Sequence, residues 1–310
     1  MKFIAYCSFL VIFTICEARY VPGEVPDFYA MVEPHMKAQI PKYIKSIAKD
    51  FKYAADAFAT IEKNVTIAKT LMSNELKDVT KNMIKETLDL IQATIGTKIT
   101  DEKALKEIEE AFSLMSQEYL VQYETLSGSI KGLKDHLLAK ESLVDEIIKK
   151  KIPELIDDFV KKMKPEESKI ASQSYVNDLK GPGREKVVAE VRKLFESEAS
   201  EIDIVEKAVM EENYDKSLTM GLQFRILLNE VAKTYIKDRK QKNTVVGQLE
   251  AKADVVLMPL LEKGVNDLTV TLDSAKVVIN NTVKFVVDDI DYELKRLTNS
   301  LSVILMSTFD

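Results

Sequence analysis

The chain has 310 residues and only two cysteines, Cys7 and Cys16, with none after residue 16. It has no tryptophan, 9 glycines, 8 prolines and 2 histidines. Each scarcity excludes something. Without cysteine past residue 16 there is no disulfide framework and no thiolate zinc site in the body of the chain. With only His35 and His136, no His-Glu-x-x-His pair and no Glu-x-x-His pair of a carboxylate-bridged dimetal bundle can be written. A zinc site would need both histidines together with distant carboxylates, so neither a metal nor another cofactor is expected. The few glycines do not form a phosphate loop: Gly181-Pro182-Gly183 lacks both the glycine spacing and the Lys-Ser/Thr ending. No serine stands in a nucleophile elbow. No catalytic residue is therefore expected, and the chain reads as a non-enzyme.

What is present begins with a leader. Lys2 opens it, Phe3 to Ile15 is mostly apolar, and Cys16-Glu17-Ala18 puts small residues at the positions a signal peptidase reads. Residues 1–18 are expected to be a secretory signal peptide, too short to span a membrane, leaving an exported chain without cysteine. The net charge of −6 survives cleavage, because Lys2 and Glu17 leave together. A mildly acidic chain is a poor partner for nucleic acid, which attracts a positive field. The longest late apolar run, Leu301 to Met306, is interrupted by Ser302 and cannot span a bilayer.

Charged residues make up 30% of the chain and apolar ones 46%, a balance that favours long helices. Pro22, Pro26, Pro34 and Pro41 predict a proline-rich lead over 19–40, extended except for a short helix near Asp27 to Glu33. From Pro41 a long helix is expected to reach Ile95. Ile44, Phe51, Phe58, Val65, Met72 and Val79 recur every seven residues, with Ile47, Ala54, Ile61 and Ala68 beside them. The register slips by one near Asn74, after which Leu76, Met83 and Leu90 carry the seam. Gly96 ends this helix and Thr100 caps the next. That second helix bears Ile108, Phe112, Met115, Tyr119, Leu126 and Leu133, then Leu137, Val144, Ile148, Ile152 and Phe159. Ser127-Gly128-Ser129 and Gly132 predict a bend or break, and Pro153 a second kink or a helix restart.

Further on, a short helix from 165 to about Leu179 leads to a Gly-Pro-Gly turn. Ser200-Glu201-Ile202-Asp203 reads as a capping box opening a helix toward Lys242, with 237–243 as a connector. The last segment, Leu268 to Ile304, steps by threes and fours and is expected to be helical despite its Val, Ile and Thr content. The organisation predicted is therefore a helical half over 41–164, a linker over 165–183 and a second half over 184–310. The fold class is all-α, an elongated bundle of long, partly kinked antiparallel helices with coiled-coil-like seams.

Candidate contact residues fall into three groups. Asn64-Val65-Thr66 and Asn280-Asn281-Thr282 are glycosylation sequons, which export would make usable at Asn64 and Asn280. Lys149, Lys150, Lys151, Lys161, Lys162 and Lys164 form one basic cluster, and Lys237, Arg239, Lys240 and Lys242 another. Either could hold a sulfated glycan or an anionic surface, although interleaved acids favour a solvated, ion-paired helix face. Phe51, Phe58, Phe112, Tyr119 and Tyr123 are the bulkiest side chains on the stripes. They either fill a core or line a cavity for lipid or a small apolar ligand.

The lysine-started leader, the cysteine-free body and the long seams together resemble the secreted proteins of arthropod saliva and haemolymph. In mass and layout the chain is most similar to the culicine mosquito salivary family, which is helical and cysteine-poor. The resemblance implies a released protein that binds host factors, with no catalytic residues to carry over. On that basis the expected function is binding of an extracellular protein or glycan through helical surfaces. The alternatives are a carrier of lipid or a small apolar ligand, and a self-associating structural protein whose heptads pair between chains.

Overall fold

A computed structural model describes residues 28–100, 102–163 and 169–307. The leader, Cys7, Cys16 and Lys164 lie outside the described residues. Six α-helices follow in order: α1 (Phe28–Ile95), α2 (Glu102–Lys162), α3 (Lys169–Asp178), α4 (Arg184–Leu194), α5 (Glu198–Tyr235) and α6 (Arg239–Met306). No strand occurs among the described residues, so the all-α expectation holds, and four long helices pack against each other as a bundle. The Thr269 to Leu272 stretch is helical, as the three-four spacing required.

The seams are where the periodicity put them. Phe51, Phe58, Val65 and Met72 are buried at seven-residue intervals, and Leu76 and Met83 take over beyond the slip. The helix then ends in a left-handed glycine: Gly96 has φ 68° and its N–H donates to the Gln92 carbonyl at 2.9 Å. On α6 the buried line runs through Leu268, Leu272, Ala275, Ile279, Val286, Ile290, Leu294, Leu297 and Leu301.

Several local expectations are corrected. The helix does not start at Pro41: α1 begins at Phe28 and runs through both Pro34 and Pro41. An interior proline costs about 3 kcal/mol. Burying Val32, Met36, Tyr43 and Ile47 returns roughly 1.5–3 kcal/mol for each, which outweighs it. Both prolines face solvent, so neither ring enters the core. Neither the break at Ser127 to Gly132 nor the restart at Pro153 occurs: α2 is continuous through both, with Leu126, Ile130 and Leu133 buried at the first and Ile152 and Ile156 at the second. The Gly-Pro-Gly segment is not an open turn but part of a π-helical turn, Leu179–Gly183, joining α3 to α4. Pro182 has no N–H to donate at either spacing, and at the end of the turn the Arg184 N–H reaches the Gly181 carbonyl.

Two termini also move. Helix α5 starts at Glu198, ahead of the expected capping box, and the Ser200 hydroxyl donates to the Ser197 carbonyl at 2.9 Å. The connector after it is only residues 236–238. Asp238 caps α6 by accepting the Gln241 N–H at 2.8 Å, and buried Ile236 pins the crossing.

The chain forms two compact units, each gathered from distant segments. Of the described residues, unit 1 takes 28–50, 141–163, 169–194 and 284–307, and unit 2 takes 51–100, 102–140 and 195–283. In unit 1, Tyr43 and Ile47 of α1, Ile148 and Ile152 of α2, Val187 and Val191 of α4, and Ile290 and Leu294 of α6 are buried. Arg184 Nε meets Asp291 Oδ1 at 3.3 Å, and Lys151 meets Glu190 at 3.6 Å. Space at Gly183 is tight, since a Cβ would sit 2.6 Å from Leu155 Cδ1 and 3.1 Å from the Asp178 carbonyl oxygen. In unit 2, segments of α1, α2 and α6 enclose the inner face of α5. Phe112 meets Phe224 edge-on, with ring centroids 4.8 Å apart at 67°.

Candidate functional site

The densest polar constellation lies inside unit 2. It draws Tyr119, Gln122 and Tyr123 from α2, Asn213 and Ser217 from α5, and Gly264 and Asp267 from α6. Tyr119, Gln122 and Tyr123 are each 1% exposed. The Asn213 amide donates to Gln122 Oε1, and the Tyr123 hydroxyl donates to Asp267 Oδ2 at 3.1 Å. The Tyr119 hydroxyl has Gln122, Ser217 and Asn213 as polar neighbours. Its oxygen, Gln122 Nε2 and Ser217 Oγ are buried without a well-directed hydrogen bond. Gly264 makes the cluster fit, because any Cβ there would overlap the Tyr119 hydroxyl. Burial pushes the Tyr119 phenol above its ordinary pKa, and Gln122, Ser217 and Asn213 offset part of the rise. Burial, then the Asp267 charge, pushes Tyr123 up as well. Neither phenol is prepared to act as a base near neutral pH. The layer instead joins three helices at one level, the arrangement by which buried polar groups fix helix register.

A second cluster anchors the start of α5. Glu198, the first residue of that helix, is 3% exposed. His136 Nε2 lies 3.2 Å from its Oε1, and Lys140 Nζ lies 3.5 Å from the same oxygen. A carboxylate at a helix N-terminus is favoured by the helix dipole, and here Lys140 of α2 pairs with it while His136 lies alongside without a well-directed hydrogen bond. His35 is elsewhere, half-buried on α1, with its pKa lowered by burial and by Lys42. Among the described residues no group of three or more His, Cys, Asp or Glu could hold a metal ion.

The five aromatic candidates, Phe51, Phe58, Phe112, Tyr119 and Tyr123, are all core side chains. None lines the small cavity of unit 1, which has about 10 Å³ of space between Tyr43, Ser46, Ile148, Ile152 and Asp289. None lines the open groove of unit 2, bordered by Lys63, Thr66, Ser127, Gly128, Lys131 and Lys134.

The basic candidates are spread over both units. Lys149 pairs with Asp145 at 3.7 Å, Lys151 with Glu154 at 3.2 Å and Lys161 with Asp157 at 4.0 Å. Lys150 and Lys162 are exposed on the same helix. Lys237, Arg239 and Lys240 are exposed, and Lys242 is half-buried, around the start of α6. Asn64 and Asn280 both reach solvent. Thr66 of the first sequon is exposed, whereas Thr282 of the second is buried and donates to the Val278 carbonyl at 2.8 Å.

One surface was not foreseen. Helix α5 buries Met220, Phe224 and Leu228, yet it also presents Tyr214, Leu218, Leu222 and Ile226 on its other side. Leu222 is 51% exposed and Ile226 63%. The signal was legible as a second run at four-residue spacing, offset by two positions from the core run. Polar pairs flank it: Arg225 meets Asp254 at 2.8 Å, and Gln223 donates to Glu118 at 3.3 Å.

No family model, curated protein or solved structure matches the chain. No helix among the described residues is long and apolar enough to cross a membrane. The class defined by fold and site is thus an all-α helical bundle.

Proposed function

We propose that this is a secreted, non-enzymatic protein that binds an extracellular macromolecule of a host through its helical surfaces, as the resemblance to the culicine salivary proteins implies. The observation that carries this reading is the doubly apolar α5. Its inner run fills the core of unit 2, while Leu218, Leu222 and Ile226 lie on the other side with half or more of each side chain exposed. Apolar side chains at four-residue spacing are the pattern by which one helix meets a partner surface. The buried phenols favour binding over acid–base chemistry, and the filled aromatic core favours a surface contact over carriage of an apolar ligand.

The test compares the wild-type chain with a Leu222→Glu/Ile226→Glu variant, both immobilised and exposed to host plasma. Because both positions are exposed, each substitution should alter stability by no more than about 0.5 kcal/mol. A plasma protein retained by the wild type, lost on the variant and titrating to a defined stoichiometry supports the reading. Retention of the same proteins by both forms removes α5 from the binding surface. A concentration-dependent mass that the variant abolishes would favour self-association.

A further inference from the structure

In unit 2 the outer seam between α1 and α2 carries a ladder of ion pairs, and one stretch of it lacks an acid. Lys69 of α1 meets Glu124 of α2 at 2.7 Å, and Lys134 of α2 meets Glu62 of α1 at 3.3 Å. These two pairs show that the helices run antiparallel. The stretch between them brings Lys63 of α1 and Lys131 of α2 to one open groove of about 560 Å³, with Thr66, Ser127 and Gly128 in its lining. Both lysines are exposed and, among the described residues, neither pairs with a carboxylate. Of the groove's described lining, the one acid, Glu62, is held by Lys134. We propose that this groove is an oxyanion site and that it takes a sulfate group carried on an extracellular glycan chain.

Like charges bordering one groove repel, whereas an anion between them is attracted by both. An ammonium group donates and never accepts, so the two lysines call for a ligand rich in acceptors. The Ser127 hydroxyl has no partner among the described residues and adds a neutral donor. A sulfate ester matches this set, being anionic throughout the physiological pH range, with oxygens that only accept. Small residues give the groove its depth. A Cβ on Gly128 would meet nothing within 4 Å, and α1 contributes Ala59. Ser127-Gly128 therefore has a use other than breaking α2, which is continuous here. Ligand clefts hold roughly 300–1,000 Å³, so the groove has room for sugar rings beside the charged group. The choice of a glycan over a free ion rests on the reading of a secreted, host-binding protein. The oxyanion site rests on the groove alone and shares no residue with the exposed run of α5.

The test is isothermal titration calorimetry on the full chain at physiological ionic strength, with a sulfated heparin tetrasaccharide as the probe. Saturable binding of one tetrasaccharide per chain is expected. Lys63→Gln/Lys131→Gln should weaken it roughly tenfold, the scale of one or two lost charge-assisted contacts. Gly128→Leu keeps both charges and fills the groove, and it should weaken binding by a similar factor. All three positions are exposed, so circular dichroism should show the fold of each variant intact. Unchanged affinity in either groove variant overturns the site. Lys150→Gln/Lys162→Gln, on the same helix but outside the groove, should bind as the wild type does. An equal loss there would assign the binding to the general field of α2 and overturn the site as well. The desulfated tetrasaccharide should not bind, and binding by it contradicts an oxyanion site. Inorganic sulfate bound as tightly as the tetrasaccharide overturns the glycan assignment. Leu222→Glu/Ile226→Glu should bind the probe like wild type, so failure of the α5 reading and failure of this one appear separately.

Discussion

The Tyr119 hydroxyl occupies the space where a side chain at position 264 would begin. Gly264 is buried within α6, and Tyr119, on α2, is 1% exposed, so neither can swing aside into solvent. Gly264→Ala should therefore destabilise the protein by about 1–3 kcal/mol through overpacking, although alanine is the better helix former by about 1 kcal/mol. Tyr119→Phe removes the obstructing oxygen. In urea denaturation the double variant should be more stable than the sum of the two single changes allows. Simple additivity would show that the two residues do not oppose one another.

Two glycines of one tripeptide should respond oppositely. A Cβ at Gly181 meets nothing within 4 Å, whereas one at Gly183 meets Leu155 Cδ1 at 2.6 Å and the Asp178 carbonyl at 3.1 Å. Gly181→Ala should be neutral or stabilising by up to about 1 kcal/mol. Gly183→Ala should lose roughly 1–2 kcal/mol, with part recovered by Leu155→Ala. Thermal unfolding of the three variants decides it, and equal behaviour at 181 and 183 would contradict this packing.

Much of the fold was legible because burial here follows simple periods. Phe51 to Met72, the slip to Leu76 and Met83, and the long α6 line could be read by counting. What escaped depended on neighbours distant in sequence. Proline carries a strong local stop signal, and only the burial of Val32 and Met36 shows why α1 overrides it. The Tyr119–Gln122–Asn213 layer and the Ser46–Asp289 bond unite residues 91 and 243 positions apart, and no spacing rule reveals such pairs. Tyr119 and Tyr123 were visible as bulky stripe residues, but their hydroxyl partners were not. The exposed run on α5 escaped because that helix was read from its capping residues, without following its apolar positions.

The buried phenols predict how the chain meets alkali. Tyr123 is buried and bonded to Asp267, and burial, then the Asp267 charge, raises its pKa above the ordinary phenol value. The folded state therefore holds the phenolic proton more tightly than the unfolded chain does. That stability is present below about pH 10 and is lost as pH rises beyond it. Tyr123→Phe should cost about 1 kcal/mol at pH 7 by leaving Asp267 without its donor. It should also move alkaline unfolding, followed by circular dichroism, to higher pH. An unchanged alkaline midpoint would show that the Tyr123 proton is not linked to folding.

Closed cores with function on the outer surface can be tested by native mass spectrometry of the protein secreted from insect cells. The spectrum should show the polypeptide, with or without glycan on Asn64 and Asn280, and no additional small-molecule mass that denaturation removes. A stoichiometric adduct released on unfolding would contradict surface binding and make the helical bundle a carrier.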